Sequence, residues 1–345
     1  MTLWNHNRWW IVRALLLPVY VLVFSIASFF LVRSIPGDPV LHVLGQNANQ
    51  EAYDNMEQAL GLDGSLMSQL GRFLAGLFQG TLGTSISTGK PVLEDFVNRM
   101  PSTLELAVLG LGVCIVLSAL AAYMCVMRPR WMLSKVARFY ARTAGSIPDY
   151  VIAIVGLYLF YVVLGWAPAP VGRLASDLQA PPLVTGLPLL DALLSGYGLA
   201  MMSILAHYVL PVGVLVIANS AIVLRVLIEG LEEAVTAAPT RFRVAAGATH
   251  ASVVLSMFRR AAPTAITMVG TLFGYLLGGA VILETLFGFV GIGQYVVAAV
   301  NVNDVIAIQG FLVLIAAVSL VVFLVIDIIN MLVDPRRRPG TVGGA

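Results

Sequence analysis

The string Gly83–Lys90, GTSISTGK, is the first place in this sequence where residue types suggest chemistry, because glycines around a lysine can cradle phosphates. Its spacing excludes that role. Five residues separate Gly83 from Gly89 where a phosphate loop has four, and Pro91 stands where a Ser or Thr would ligate magnesium. The four histidines, His6, His42, His207 and His250, fall in separate segments and make no metal-ligand set. No serine elbow or paired-carboxylate arrangement stands out. Cys114 and Cys125, eleven apart in one apolar run, would lie about 16 Å apart along a helix, beyond disulfide reach. These residues point away from an enzyme and imply no cofactor and no metal. The net charge of +2 gives no field for nucleic acid.

The acids within or beside apolar runs are Glu105, Asp149, Glu284 and Asp327. An ionised group in hydrocarbon costs at least about 2.5–3.5 kcal/mol, so each must face protein or water. Glu105 and Asp149 sit near the ends of their runs and read as interfacial. Glu284 closes a glycine-rich run that also holds Tyr275, and two roles stay open for it: lining a pathway, or a structural hydrogen bond. Gly270, Gly274 and Gly278 recur every four residues, with Gly279 adjacent, a stripe that lets another helix approach closely. That helix is either in this chain or in a second subunit. His207, beside Tyr208, reads as a packed histidine bonded to a neighbouring helix.

The elements that carry these residues are apolar helices. Of 345 residues, 59% are hydrophobic and 11% charged, against about 25% charged in soluble domains. About 20 consecutive apolar residues make one membrane span. Six can be drawn: Trp9–Val32, Thr103–Met127, Ser146–Leu164, Met201–Val223, Thr264–Leu286 and Val305–Met331. The first is too long for a signal-peptide core, and no small-x-small cleavage site follows, so it reads as a retained span. The expected fold is an all-α integral membrane protein of six transmembrane helices in contact with lipid. It divides into the first helix plus a long extracytoplasmic loop (1–100), a five-helix core (101–334) and a tail (335–345). Short helices are expected around Glu51–Leu60 and Leu66–Phe78, and a short interfacial element within Gly165–Gly198.

Fifteen of the twenty Lys and Arg fall on one side of this topology, including Arg8, Arg13, Arg128, Arg138, Arg259 and Arg336–Arg338. By the positive-inside rule that side is cytoplasmic, so both termini lie inside, Ser252 is inside and Gly64 outside. The inner connection between spans four and five, about 224–263, is far longer than a helical bundle needs. It carries both signs of charge and reads as a docking surface.

Several strings resemble the dipeptide and oligopeptide branch of binding-protein-dependent ABC transporter permeases, the DppB/OppB-like family. They are RSIPGDPV at Arg33–Val40, GTLGTSISTGKPV at Gly80–Val92 and RMPSTLEL at Arg99–Leu106. LGGAVILETLFGFVGIGQ from Leu277, AIQG at Ala307–Gly310 and DIINMLVDPRRR at the end complete the set. The resemblance implies a type I ABC importer permease fold in the bacterial cytoplasmic membrane. This chain would form half of an alternating-access pathway for di- or oligopeptides, as a non-catalytic subunit. Implied partners are a homologous second permease in a heterodimer, two cytoplasmic ATP-binding subunits and an extracytoplasmic solute-binding protein. The family's ATPase-coupling loop matches Arg241, Phe242, Arg243, Ala245, Ala246, Gly247, Ala248 and Thr249, with Gly247 as the loop glycine. Two departures stand out: Arg-Phe-Arg replaces the usual Glu-Ala-Ala, and Ala246 replaces a common lysine.

Other solutes of the same class, such as a nickel chelate or glutathione, remain alternatives. A gradient-driven secondary transporter is disfavoured by the lack of an inverted internal repeat and by the large inner connection.

Overall fold

In hydrocarbon every backbone N–H and C=O must be paired within its own segment, which makes apolar runs helical. The computed structural model describes residues 3–45, 49–279 and 281–333. The tail 335–345, with Arg336, Arg337 and Arg338, lies outside the described residues, as do the side chains of His6 and Arg8. In chain order the helices are α1 (Leu3–Arg33), α2 (Pro39–Leu44), α3 (Gln50–Ala59), α4 (Leu66–Phe78) and α5 (Val92–Met127). Then come α6 (Met132–Thr143), α7 (Asp149–Gly156), α8 (Pro188–Leu194), α9 (Gly198–Thr236) and α10 (Ala238–Ala245). The chain continues through α11 (His250–Gly279), α12 (Val281–Leu286), α13 (Ile292–Asn301) and α14 (Val305–Val333).

Among the described residues five helices, α1, α5, α9, α11 and α14, are long and apolar enough to cross a bilayer. The third expected span, Ser146–Leu164, is shorter. There α7 runs on into π-helical turns at Leu157–Val163, giving the apolar helix Asp149–Val163. At about 1.5 Å per residue that is roughly 22 Å, against about 30 Å of hydrocarbon.

The segment between α1 and α5 folds as local signals dictate. Asp38 caps α2 by accepting from the Val40 N–H at 2.8 Å, Asn49 caps α3 and Ser65 caps α4. The expected helices near Glu51–Leu60 and Leu66–Phe78 are α3 and α4. α5 starts at Val92 rather than Thr103 and runs unbroken through residue 100.

At the centre stands α9, with 56% of its most apolar stretch buried in the chain against 6% for α14. It packs along α5, where Gly110 faces Leu215, and along α11, where a methyl placed on Gly230 would sit 2.9 Å from the Ala261 methyl. The outer faces of α1 and α14 carry exposed Leu15, Val23 and Val321, side chains suited to lipid.

The connection at 224–263 is mostly helix. α9 continues past Val223 to Thr236, and α11 begins at His250 rather than Thr264. Charged residues end the hydropathy signal, yet Leu224, Leu227, Ile228, Leu231 and Ala234 remain buried at helical spacing. They continue the core shared with Val253, Met257 and Ala261 of α11.

Candidate functional site

Between α9 and α11 stands α10, eight residues held at both ends. At its start Pro239 occupies the first turn, and the buried Thr240 hydroxyl donates to the Ala234 carbonyl at 2.6 Å. At its end the Gly247 N–H donates to Val244 O at 3.1 Å and the Ala248 N–H to Arg243 O at 3.0 Å. This paired pattern is a Schellman cap, and it needs a left-handed residue after the helix. Gly247 supplies it with φ +76°, and nothing lies within 4 Å of where its side chain would begin. Thr249 then caps α11 through the Ser252 N–H at 3.4 Å.

From Arg241 to Gly247 every residue is exposed, Phe242 by 74% and Val244 by 61%. A bundle gains nothing by presenting an aromatic ring and two guanidiniums on a rigid knob, so this surface has the composition of an interface. Arg243 reaches Ser252 Oγ at 3.4 Å, at the edge of hydrogen bonding. The knob's base is tied down at the same end of the bundle. Tyr123 and His250 join α5 to α11 at 3.2 Å, and Arg138 pairs with Glu232 at 2.6 Å between α6 and α9. Arg259 donates to Val333 O at 3.1 Å, and Arg13 pairs with Asp327, so that acid binds a cation of α1.

The glycine stripe faces α14 within this chain at two of its positions. A methyl on Gly270 would collide with Ile326, and one on Gly274 would sit 3.3 Å from Phe323. Gly278 faces nothing within 4 Å, and Tyr275 on the same helix is 56% exposed.

Glu284 is buried, with 1% of its surface exposed. Its carboxylate accepts from the Gly293 N–H at 2.8 Å, the Gln294 N–H at 3.1 Å and the Thr103 hydroxyl, while Thr103 Oγ1 accepts from the Ile292 N–H at 3.1 Å. The pair thus caps α13 and ties it to α5. A methyl at Gly291 would collide with the Glu284 carboxylate, and one at Gly293 would come within 2.8 Å of Oε2, which accounts for two glycines of the GFVGIGQ string.

Glu105 departs from the interfacial expectation because α5 begins earlier, which draws this residue into the core. It is buried and accepts from the Tyr208 hydroxyl at 2.7 Å and from the Leu189 N–H, at the start of α8, at 2.8 Å. Asp149 sits half-buried in the first turn of α7. His207 is buried, but its Nδ1 bonds Ser203 O of its own helix at 2.7 Å, not a neighbouring one.

Asp304 carries no signal in the readings above, yet it is fully buried. It accepts from the Ser85 hydroxyl at 2.7 Å, the Ser87 N–H at 3.0 Å and the Ala307 N–H at 2.9 Å. It therefore caps α14 while gripping the turn at Thr84–Pro91. An Asn-Asp pair before an apolar run is the helix-start signal that marks it. The GTSISTGK string is that turn, closed by Ser85 N–H to Lys90 O at 2.9 Å.

α10 is thus a short, largely exposed helix between two long apolar ones. The model for the binding-protein-dependent transport system inner membrane component matches residues 114–339, and that for the N-terminal part of such membrane components matches residues 7–107. The chain belongs to this permease family.

Its similarity to individual permeases runs nearly end to end. It is 36% identical to a probable D,D-dipeptide transport system permease protein, DdpB, of Escherichia coli (strain K12), over 99% of both chains. It is 30% identical to the dipeptide transport system permease protein DppB of Alkalihalophilus pseudofirmus, over 94% of this chain and 98% of that one. A di/tripeptide transport system permease protein DppB of Pseudomonas aeruginosa is 30% identical over 94% of this chain. The protein is a multi-pass permease subunit of an ABC importer in the inner membrane, and catalysis belongs to other subunits.

Proposed function

We propose that this permease forms half of a pathway for di- or oligopeptides, paired with a homologous second permease, and that of two cytoplasmic ATPase subunits one docks on its α10. A solute-binding protein delivers substrate at the opposite face. In this reading both termini are cytoplasmic, and α7 with its π-helical extension makes the third of six crossings.

The observation that carries the coupling role is the exposed, capped α10 joined rigidly to α9. At about 1.5 Å per residue the 39 residues of α9 form a rod of roughly 58 Å, longer than the bilayer core. A sideways force on α10 therefore moves α9 along its whole length. Because α5 and α11 pack against α9, displacement at the docking knob reaches the opposite end. ATP-driven approach of the two knobs would open the outer side, and hydrolysis would reset it.

The peptide reading is supported by what the relatives are named for. Much of the selection in such systems resides in the binding protein, and the pathway itself need only be wide and wet. Uptake of labelled di- to pentapeptides in a deletion strain, beside nickel-chelate and glutathione uptake, is the direct test. Peptide uptake unchanged by the deletion, with another solute lost, would overturn the substrate while leaving the permease assignment standing.

A further inference from the structure

A cavity of about 220 Å³ lies in the segment between α1 and α5, outside the helical core described above. Its walls include Arg33 at the end of α1, Gln69, Arg72 and Phe73 of α4, and Gln309 of α14. Three buried polar atoms on these residues have no hydrogen-bond partner: Arg33 Nε, Gln69 Oε1 and Gln309 Nε2. Buried polar atoms are nearly always paired, so three orphans around one cavity indicate something that fills it.

The chemistry of the orphans is specific. Gln309 is 5% exposed and offers a donor. Arg33 rests over the Phe29 ring at 5.3 Å, which stations its guanidinium, and no carboxylate pairs with it among the described residues. Arg72, by contrast, is satisfied by Asp63 Oδ1 at 2.9 Å and Gly61 O at 3.1 Å. One uncompensated positive charge and two free donors thus suit an oxyanion. Gln69 Nε2 already donates to Leu62 O, which leaves Oε1 as an acceptor in want of a donor. An occupant that carries both an oxyanion and an N–H group satisfies all three.

We propose that this cavity binds a small α-amino carboxylate, with its carboxylate on Arg33 and Gln309 and its amine toward Gln69. Water occupies about 30 Å³ per molecule in the liquid, so the volume corresponds to about seven waters and accommodates an occupant the size of a small amino acid. The ligand would tie the end of α1 to α4 and to the first turns of α14. This proposal does not depend on the transported solute being a peptide.

The full chain, purified in detergent at neutral pH, is titrated calorimetrically with glycine, acetate, methylamine and inorganic phosphate. Saturable glycine binding is expected, with acetate at least about tenfold weaker and methylamine silent. Arg33→Gln and Gln309→Glu should each weaken glycine at least about tenfold, while Lys90→Ala should leave it unchanged. Gel filtration and helix content establish that each variant is folded, and Gln309→Met serves if Gln309→Glu is not. Absence of saturable glycine binding overturns the proposal. So does equal binding by wild type and both site variants, which would mean an adventitious ion only. Phosphate binding as tightly as glycine would overturn the amino-acid class.

Discussion

The hydroxyl of Ser85 donates to the carboxylate of Asp304 at 2.7 Å, and both side chains are buried. This bond joins the loop before α5 to the start of α14, more than two hundred residues later. It gives a structural reason for Ser85 in a string that imitates a phosphate loop. The Ser85 hydroxyl and the Ser87 N–H both point at an acid inside the protein, and the Ser87 hydroxyl pairs with that of Ser85 at 3.0 Å. Gly83 belongs to the same contact, since a methyl there would sit 2.6 Å from Ile306.

Asp304→Ala is predicted to destabilise the fold by about 2–4 kcal/mol, because three donors lose their acceptor at a buried site and a helix loses its cap. Asp304→Asn should cost less, since its amide oxygen still accepts. Thermal unfolding in detergent, with limited proteolysis at residues 84–91, measures both. A melting temperature unchanged in Asp304→Ala would show that the bond is dispensable.

Gly247 is predicted to separate shape from crowding. Gly247→Leu must hold a bulky residue at φ +76°, which costs about 1–2 kcal/mol and distorts the end of α10. Gly247→Asn tolerates that conformation and places a small polar group in open space. Folding and membrane insertion should survive in both. Substrate-stimulated ATP hydrolysis by the reconstituted complex should vanish in Gly247→Leu and persist in part in Gly247→Asn. Normal coupled hydrolysis in Gly247→Leu would remove α10 from the ATPase interface.

Orientation is testable with single cysteines and an impermeant maleimide on intact cells. The native Cys114 and Cys125 are fully buried and should stay silent. Gly64 lies at φ +81° and would be strained by a cysteine, so Met67, 66% exposed on α4, is the better outer probe. Met67→Cys should label and Ser252→Cys should not. The reverse pattern would invert the topology.

The short helices expected around Glu51–Leu60 and Leu66–Phe78 match α3 and α4 almost to the residue, and in the structure Asn49 and Ser65 cap their starts. Hydropathy likewise located the long apolar helices. It failed at their ends for a physical reason. A sliding average weighs all faces of a helix equally, so Arg225, Glu229, Glu232 and Glu233 appeared to close α9. The buried face of Leu224, Leu227, Leu231 and Ala234 nevertheless continued underneath. Buried carboxylates were harder still. Glu284 serves α13 only once α5 brings Thr103 beside it, and no local window contains that arrangement.

Asp191 gives a pH signature outside the spans. Burial pushes its carboxyl up, but the bonds from the Thr185 hydroxyl at 2.6 Å, the Thr185 N–H at 2.7 Å and the Gly186 N–H at 3.0 Å outweigh it. The group is held below the ordinary carboxylate value. A folded pKa below the unfolded one stabilises above the unfolded value, near 4, and that stabilisation is lost as pH falls through the folded value. Asp191→Asn should therefore melt below wild type at neutral pH, with the gap closing progressively below about pH 4. A gap independent of pH would show that the loop needs only an acceptor there.

The contact between Gly230 and Ala261 tests whether α9 and α11 move as one lever. A methyl at position 230 would sit 2.9 Å from the Ala261 methyl and 3.2 Å from its Cα, so it cannot fit without parting the helices. Overpacking of this kind costs about 1–3 kcal/mol. Gly230→Ala is predicted to lower coupled transport severalfold while ATPase subunits still bind, because α10 itself is untouched. Ala261→Gly removes the opposing methyl, so the double variant should recover most of the loss. That recovery is the coupling energy of a double-mutant cycle, and two sites acting independently would show none. Transport in reconstituted vesicles, beside co-purification of the ATPase, reads both quantities. If Gly230→Ala transports normally, or if Ala261→Gly fails to rescue it, the force from α10 must travel by a route other than this contact.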